Sequence, residues 1–373
     1  MKKYRRCLVF AGGGFRFGIY LGMYAAARDA GRSPDLLLAT CGGAIAAAII
    51  QALPDDAQRK AWLSSPQMYE FWGSLKAARQ ATIVRTLAQA AQRKFSTGRA
   101  ARIPDLFNDY LFEVPPPLPL PPRSASAVSA VSAGEVSVAT IGGKLLFGPD
   151  EVGQLRGQRE LFVQTVLCEP RAASLLQGMR SPFANPHWGA HAIAGEVLTD
   201  TTFALEEAAR LSITDFYYFP CHRHGADHYI GGVIDLFPIE VARRLADEVM
   251  IEFKAPFDQT FAIPAWRAVL GLDGNQRLCH VNALQAEAWI DTSDIFRALA
   301  RQQIHKKLDW RRNRIALSLP DSPATYAKYM DDQWQYGYQR ALEALQRTAP
   351  GDSSRMRQVN RYNRATAGAA CAP

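Results

Sequence analysis

The chain has 373 residues, 48% hydrophobic and 21% charged, a globular balance that excludes disordered, collagenous and repeat classes for its bulk. Its net charge of +8 favours anionic partners: membrane surfaces, phospholipid headgroups or nucleic acid. None of the six cysteines sits in a Cys-x-x-Cys pair, so no zinc or dithiol redox signal is present and reduced thiols are the expectation.

The N-terminus, MKKYRRCLVFAGGGF, imitates a signal peptide for a few residues, but its apolar run is short and ends in glycines. It reads as a first strand over residues 7–10, followed by Gly12-Gly13-Gly14 and an Ala-rich helix over about 18–30 with Gly31 at its C-terminal cap. A second strand over 36–40 runs into Cys41-Gly42-Gly43 and another Ala-rich helix. Strand, helix, strand, helix in this order implies a right-handed parallel unit. Residues 55–102 read as helical and basic. The VPPPLPLPPR segment and the small residues after it, 114–135, read as a linker or exposed loop.

Strands are expected at 136–140 and 161–163, and a helix at 204–211. A further strand over 229–234 is interrupted by Gly231-Gly232. Pro238 then starts a helix, and the last strand of the unit covers 249–253. Residues 1–300 are expected to form one α/β domain, 301–349 a helical basic extension, and 350–373 a disordered tail. No run approaches the ~18 uninterrupted apolar residues of a transmembrane helix. The expectation is a cytoplasmic protein, at most peripheral to an anionic membrane.

The informative segment is 36–50, LLLATCGGAIAAAII, an apolar strand, a tight Gly-rich turn and a helix. That is the layout of a nucleophile elbow, which holds a reactive side chain at the top of a parallel sheet. Here the reactive position holds Cys41. Acyl transfer also needs donors for a developing oxyanion, and glycines at 12–14 can turn backbone N–H groups toward one. Neither Rossmann nor P-loop spacing follows those glycines.

These motifs together resemble the patatin-like phospholipase family. Its pattern is Gly-Gly-Gly-x-Arg/Lys-Gly, then a Gly-x-Ser-x-Gly elbow, then Asp-Gly-Gly or Asp-Gly-Ala. Gly12-Gly13-Gly14-Phe15-Arg16 matches the first motif, with Phe17 in place of a glycine, and ATCGG matches the elbow, with Cys41 for Ser and Ala39 for Gly. AARLSITDFYYFP is similar to the family's Ala-Ser-x-x-x-Pro segment, and IGGVIDLFP to its third motif. In that alignment Ile230 takes the catalytic Asp position. The resemblance covers roughly residues 5–255. It implies a three-layer α/β fold, with a central mostly parallel sheet and helices on both faces, acting on a lipid or acyl-thioester substrate without a metal or organic cofactor.

Isoleucine accepts no proton, so the family's Ser–Asp chemistry does not transfer directly. One reading keeps Cys41 as a live nucleophile, since thiols are acidic and a helix N-terminus lowers their pKa further. Gly13, Gly14 and Gly42 would then hold the oxyanion, Arg16 would add positive charge, and His228 is the candidate base, with Asp235 a weaker one. The result would be a lipid acyl hydrolase or acyltransferase working through a covalent acyl-enzyme. The alternative is an inactive relative that binds lipid or a protein partner, with Cys41 as a small packed residue. Nucleic acid is not an expected partner, because no recognition motif accompanies the basic residues. The HRHGADH cluster fits no common zinc spacing and reads as a solvated loop, and Asp235 has a second reading as a helix cap. The basic stretch 301–314 reads as a solvated helix face or a contact with an anionic membrane.

Overall fold

The structure, a computed structural model, describes residues 1–95, 99–113, 117–121, 136–302 and 304–347. In chain order the first half holds β1 (Tyr4–Phe10), α1 (Gly18–Asp29), β2 (Leu36–Ala39), α2 (Gly42–Ala52), α3 (Asp56–Leu63), α4 (Pro66–Gly73), α5 (Ile83–Phe95), β3 (Ser137–Leu145), β4 (Phe162–Leu167), α6 (Pro170–Leu176) and β5 (Ile193–Asp200). The second half holds α7 (Leu205–Ser212), β6 (His222–His224), β7 (Asp227–Ile230), α8 (Ile239–Leu245), β8 (Ala246–Phe253), α9 (Ala262–Val269), α10 (Gly274–Asn282), β9 (Ala288–Asp291), α11 (Ile295–Ala298), β10 (His305–Asp309), β11 (Arg314–Ser318) and α12 (Pro323–Arg347).

Seven strands run in the order β5-β4-β3-β2-β1-β8-β9, and the β6–β7 hairpin adds to β3. The centre is parallel: β3, β2, β1, β8 and β9 all point one way, while β4 and β7 pair antiparallel with β3. The central strands read as unbroken apolar runs because both faces are covered. Alternate residues of β1 divide between two cores. Cys7 and Val9 pack with residues of α6, α8, α9 and α10, and Leu8 and Phe10 with α1, α2 and α12. This is the expected three-layer α/β arrangement, with helices on both faces of the sheet.

The region 301–349 departs from its expected helical form. Residues 305–318 make an antiparallel hairpin, with His305 opposite Ser318 and Asp309 opposite Arg314. Asn313, at φ 49°, completes the turn. The alternation of Arg314-Ile315-Ala316-Leu317 explains the strand: Ile315 is buried and Leu317 packs against the core, while Arg314 stays in solvent. Only α12 is helical, and it lies tightly on α1. A Cβ at Gly22 would fall 2.0 Å from the Trp334 carbonyl oxygen, and one at Gly337 would fall 2.0 Å from that of Ile19. Buried Gln333 of α12 accepts from Gly18 N–H (3.1 Å) and donates to the Phe15 carbonyl (3.2 Å), holding the chain just after the glycine run. Most of the Pro-rich segment (114–116 and 122–135) and the tail lie outside the described residues. Within 117–121, the Pro119 carbonyl accepts from Trp62 Nε1 at 2.9 Å.

Candidate active site

β2 delivers Cys41 to the top of the sheet, where it is the N-cap of α2 with φ 46° and ψ −127°. A non-glycine residue at positive φ costs about 1–3 kcal/mol and persists only where its surroundings force it. Two contacts do so. The Cys41 N–H donates to Ser212 Oγ at 2.9 Å, and Ser212 in turn donates to the Ile141 carbonyl at 2.9 Å. The turn also needs Gly43, where a Cβ would lie 2.5 Å from the Phe10 carbonyl oxygen.

Gly12, Gly13, Gly14, Arg16 and Gly42, the last four expected to serve an oxyanion, all border the same cavity as Cys41. Gly12 comes closest: a Cβ there would sit 3.1 Å from Cys41 Cβ and 3.4 Å from Sγ. Gly42 opens α2, so its N–H has no partner within the helix. The guanidinium of Arg16 lies 4.5 Å over the Phe296 ring.

The group that meets the thiol is Asp215. Cys41 Sγ donates to Asp215 Oδ1 at 2.8 Å. Asp215 lies three residues after Ser212, beyond the end of α7, so one short segment holds both the backbone and the sulfur of Cys41. The glycine pair of the third motif supports that segment. Gly231 N–H donates to the Thr214 carbonyl at 2.8 Å, and the Val233 N–H bonds the Asp215 carboxylate. Burial raises the Asp215 carboxyl to about 7, against the downward pull of its bonds to Cys41 and Val233. The Cys41 thiol is itself pushed well above its ordinary value, first by burial and then by the Asp215 charge. Lys254 and the Gly42 N–H pull the other way. Near neutral pH the pair is therefore a thiol beside a carboxyl poised to ionise, not a resting thiolate.

Lys254 completes the cluster. Its ammonium donates to the carbonyls of Ala11 and Gly12 and to Tyr20 Oη, and pairs with buried Glu252 at 3.2 Å. It thus braces the glycine loop from beneath. The cavity measures about 810 Å³, and Trp72, Phe216, Phe257 and Trp266 give it an apolar wall. Of the aromatic residues on α3 and α4, Trp62, Tyr69, Phe71 and Trp72, only Trp72 lines it.

Three expectations need correction. His228 is not brought to Cys41. It sits on the β6–β7 hairpin, packed edge-on against Phe107 at 5.2 Å, and it does not line the cavity. Asp235 points into the core, where Arg277 holds it at 3.0 and 3.2 Å and Glu240 shares the same guanidinium. Its role there is structural. Asp235→Ala is expected to cost about 3–5 kcal/mol in urea unfolding, the usual penalty for breaking a buried ion pair. Ile230 is a packed core residue beside Gly143, also away from the cavity lining. His222 and His224 both bond Glu207 Oε1, at 3.1 and 2.8 Å.

Asp215, Ser212 and Lys254 escape sequence reasoning. A signal for Asp215 exists, since it is the only acidic residue between Glu207 and Asp227, set in the apolar run LSITDFYYFP. The family's habit of placing the acid before Gly-Gly directs attention fifteen residues too far along.

No curated protein matches the chain. Among solved structures, VipD from Legionella pneumophila is similar at 13% identity, over 93% of this chain and 67% of that one, with a TM-score of 0.32. A family model for patatin-like phospholipases matches residues 8–243, which spans β1 to α8 and every motif around Cys41. The chain belongs to the patatin-like phospholipase family, a family of lipid acyl hydrolases.

Proposed function

We propose that Cys41 is the nucleophile of a lipid acyl hydrolase or acyltransferase, with Asp215 as its general base. The observation that carries this reading is the 2.8 Å bond from Cys41 Sγ to Asp215 at a strained elbow inside an apolar cavity. In the first half-reaction, Sγ attacks the acyl carbonyl carbon as its proton passes to Asp215. The carbonyl oxygen takes the negative charge and faces the N–H groups of Gly13, Gly14 and Gly42, with Arg16 and Lys254 nearby. The tetrahedral adduct expels the alcohol or thiol, which recovers the proton from Asp215, leaving an acyl-thioester on Cys41. Water or an acceptor alcohol or amine, deprotonated by Asp215, then attacks the thioester carbonyl, the C–S bond breaks, and the Cys41 sulfur recovers the proton from Asp215.

A carboxyl near pH 7 suits this task, since a base works best with its pKa close to the operating pH. The rate of acylation is expected to rise with pH through about 7, as Asp215 loses its proton, and to level off while the thiol remains protonated. A stopped-flow profile with a chromogenic thioester measures this. A profile flat across that range would remove Asp215 from the role of base.

One observation favours a second reading, a lipid-binding protein without turnover: Cys41 is only 4% exposed. Intact mass spectrometry after incubation with acyl-thioester and phospholipid donors decides between the two. The expected result is a gain of one acyl group on the peptide containing Cys41. Retention of the donor in the cavity without any covalent gain would establish the binding reading instead.

A further inference from the structure

The β10–β11 hairpin and the start of α5 form an exposed face beside the cavity mouth. Lys306 of β10 lines the cavity and sits 4.3 Å over the Tyr218 ring, which also lines it. The hairpin turn is joined to α5 by a bond from Ile83 N–H to the Asn313 carbonyl at 3.3 Å. Large apolar side chains stand in solvent across this region. Trp310 at the turn is 69% exposed and Val84 at the head of α5 is 70% exposed. Phe261 and Phe296, which line the cavity, are 57% and 65% exposed and so mark its mouth.

Charge is equally one-sided. Residues 301–314 contain six Lys or Arg against a single acid, Asp309. Arg312 reaches that acid at 4.0 Å. Lys307, Arg311 and Arg314 are exposed and have no acidic partner among the described residues. Soluble proteins rarely leave large apolar side chains grouped in water without a use for them.

We propose that this hairpin and the head of α5 dock on an anionic lipid bilayer, with the cavity mouth turned toward it. The proposal rests on the reading above only in that the cavity takes a lipid acyl group. Tryptophan is favoured at the headgroup level, where its ring is half-buried in acyl chains and its N–H stays hydrated. Lysine and arginine around it meet lipid phosphates. A polyanion such as RNA would satisfy the cations but leave Val84, Leu308 and Phe296 in water. A convex turn, exposed at every residue from 310 to 314, suits a soft planar surface better than a shaped protein counterface.

Vesicle flotation of the full chain tests this, using phosphatidylcholine alone and phosphatidylcholine mixed with phosphatidylglycerol. Wild type should float with the mixed vesicles only, and raising the salt from low to molar concentration should release it. Trp310→Ala and the double variant Lys307→Glu/Arg311→Glu should each reduce flotation, the double variant by about tenfold or more. Both should still form the acyl adduct with a soluble short-chain thioester, which shows that they are folded. Equal flotation with both vesicles, none with either, or a wild-type dimer that Trp310→Ala dissolves would overturn the proposal. Flotation does not depend on Cys41 chemistry: wild type that floats without acylating fails the functional reading alone, and wild type that acylates without floating fails this one alone.

Discussion

Asp215→Asn is expected to abolish acylation of Cys41 while making the protein more stable above neutral pH. General-base catalysis is worth about 10²–10⁴-fold, so acyl-adduct formation should fall by at least about a hundredfold. Stability should move the other way. The Asp215 carboxyl is raised to about 7 in the folded protein, so the native state holds its proton more tightly than the unfolded chain does. Its contribution is therefore fully present below about pH 4 and is lost as pH rises through 7. Asparagine has no proton to lose and escapes that cost. The variant should gain on wild type by on the order of 2 kcal/mol at pH 8, once solvent in the cavity is allowed for, and by little at pH 4. Paired urea titrations at the two pH values read this difference directly.

A third signature separates a base from a mere neighbour. The Asp215 charge is one cause of the raised Cys41 thiol, so removing it should make the thiol more acidic. The titration of the Cys41 thiol, read by thiolate absorbance, should then move to lower pH in Asp215→Asn, even as acyl transfer stops. Acyl transfer suffers because its leaving group needs the proton that Asp215 would return. If acylation is lost and the thiol titration does not move, the variant has merely disturbed the elbow.

Cys41→Ala should erase the covalent adduct altogether, whereas Cys41→Ser should keep acyl chemistry alive. Alanine removes the sulfur that would bond the acyl carbon, and Lys254, the other nucleophile beside the glycines, is engaged by the Ala11 and Gly12 carbonyls and by Glu252. Serine at the same position would face the same carboxylate and the same glycines. A serine hydroxyl is a far weaker acid, so it depends more heavily on Asp215 and attacks thioesters and oxyesters alike. The ratio of thioester to oxyester turnover should drop by about tenfold in Cys41→Ser. The double variant Cys41→Ser/Asp215→Asn should be silent on both donors. An inactive Cys41→Ser protein that retained its fold by circular dichroism would mean that the carboxylate is not placed to serve a hydroxyl.

The sequence carries the frame of this molecule clearly and its chemistry only in part. Apolar runs at 7–10 and 36–39 announce strands covered on both faces, and the glycines at 12–14 and 42–43 announce close backbone approach, because no other residue type satisfies those demands. Asp215 is different. Its role arises from a contact across 174 positions, and nothing local distinguishes an acid that faces a thiol from one that caps a turn. Asp235 and His228 drew attention by their closeness in sequence to Gly231-Gly232, yet proximity along a strand says little about which side chain crosses to a neighbouring loop. The hairpin at 305–318 was hidden by its charge. Lysine and arginine suit a helix face in composition, and only the inward alternation of buried Ile315 and partly buried Leu317 betrays the strand.

The hold of Gln333 on Phe15 and Gly18 has a practical consequence. The family-matched region ends near residue 243, long before α12 begins. A protein cut to that region would keep Cys41, Asp215 and the glycines but lose Lys254, the Phe257 and Trp266 wall of the cavity, and the glutamine that holds the chain after the glycine loop. It would also bare the face of α1 on which Gly337 rests. The boundary of the matched motifs and the boundary of the structure that holds Cys41 and its glycine loop are therefore different places in this chain, and that structure reaches into α12.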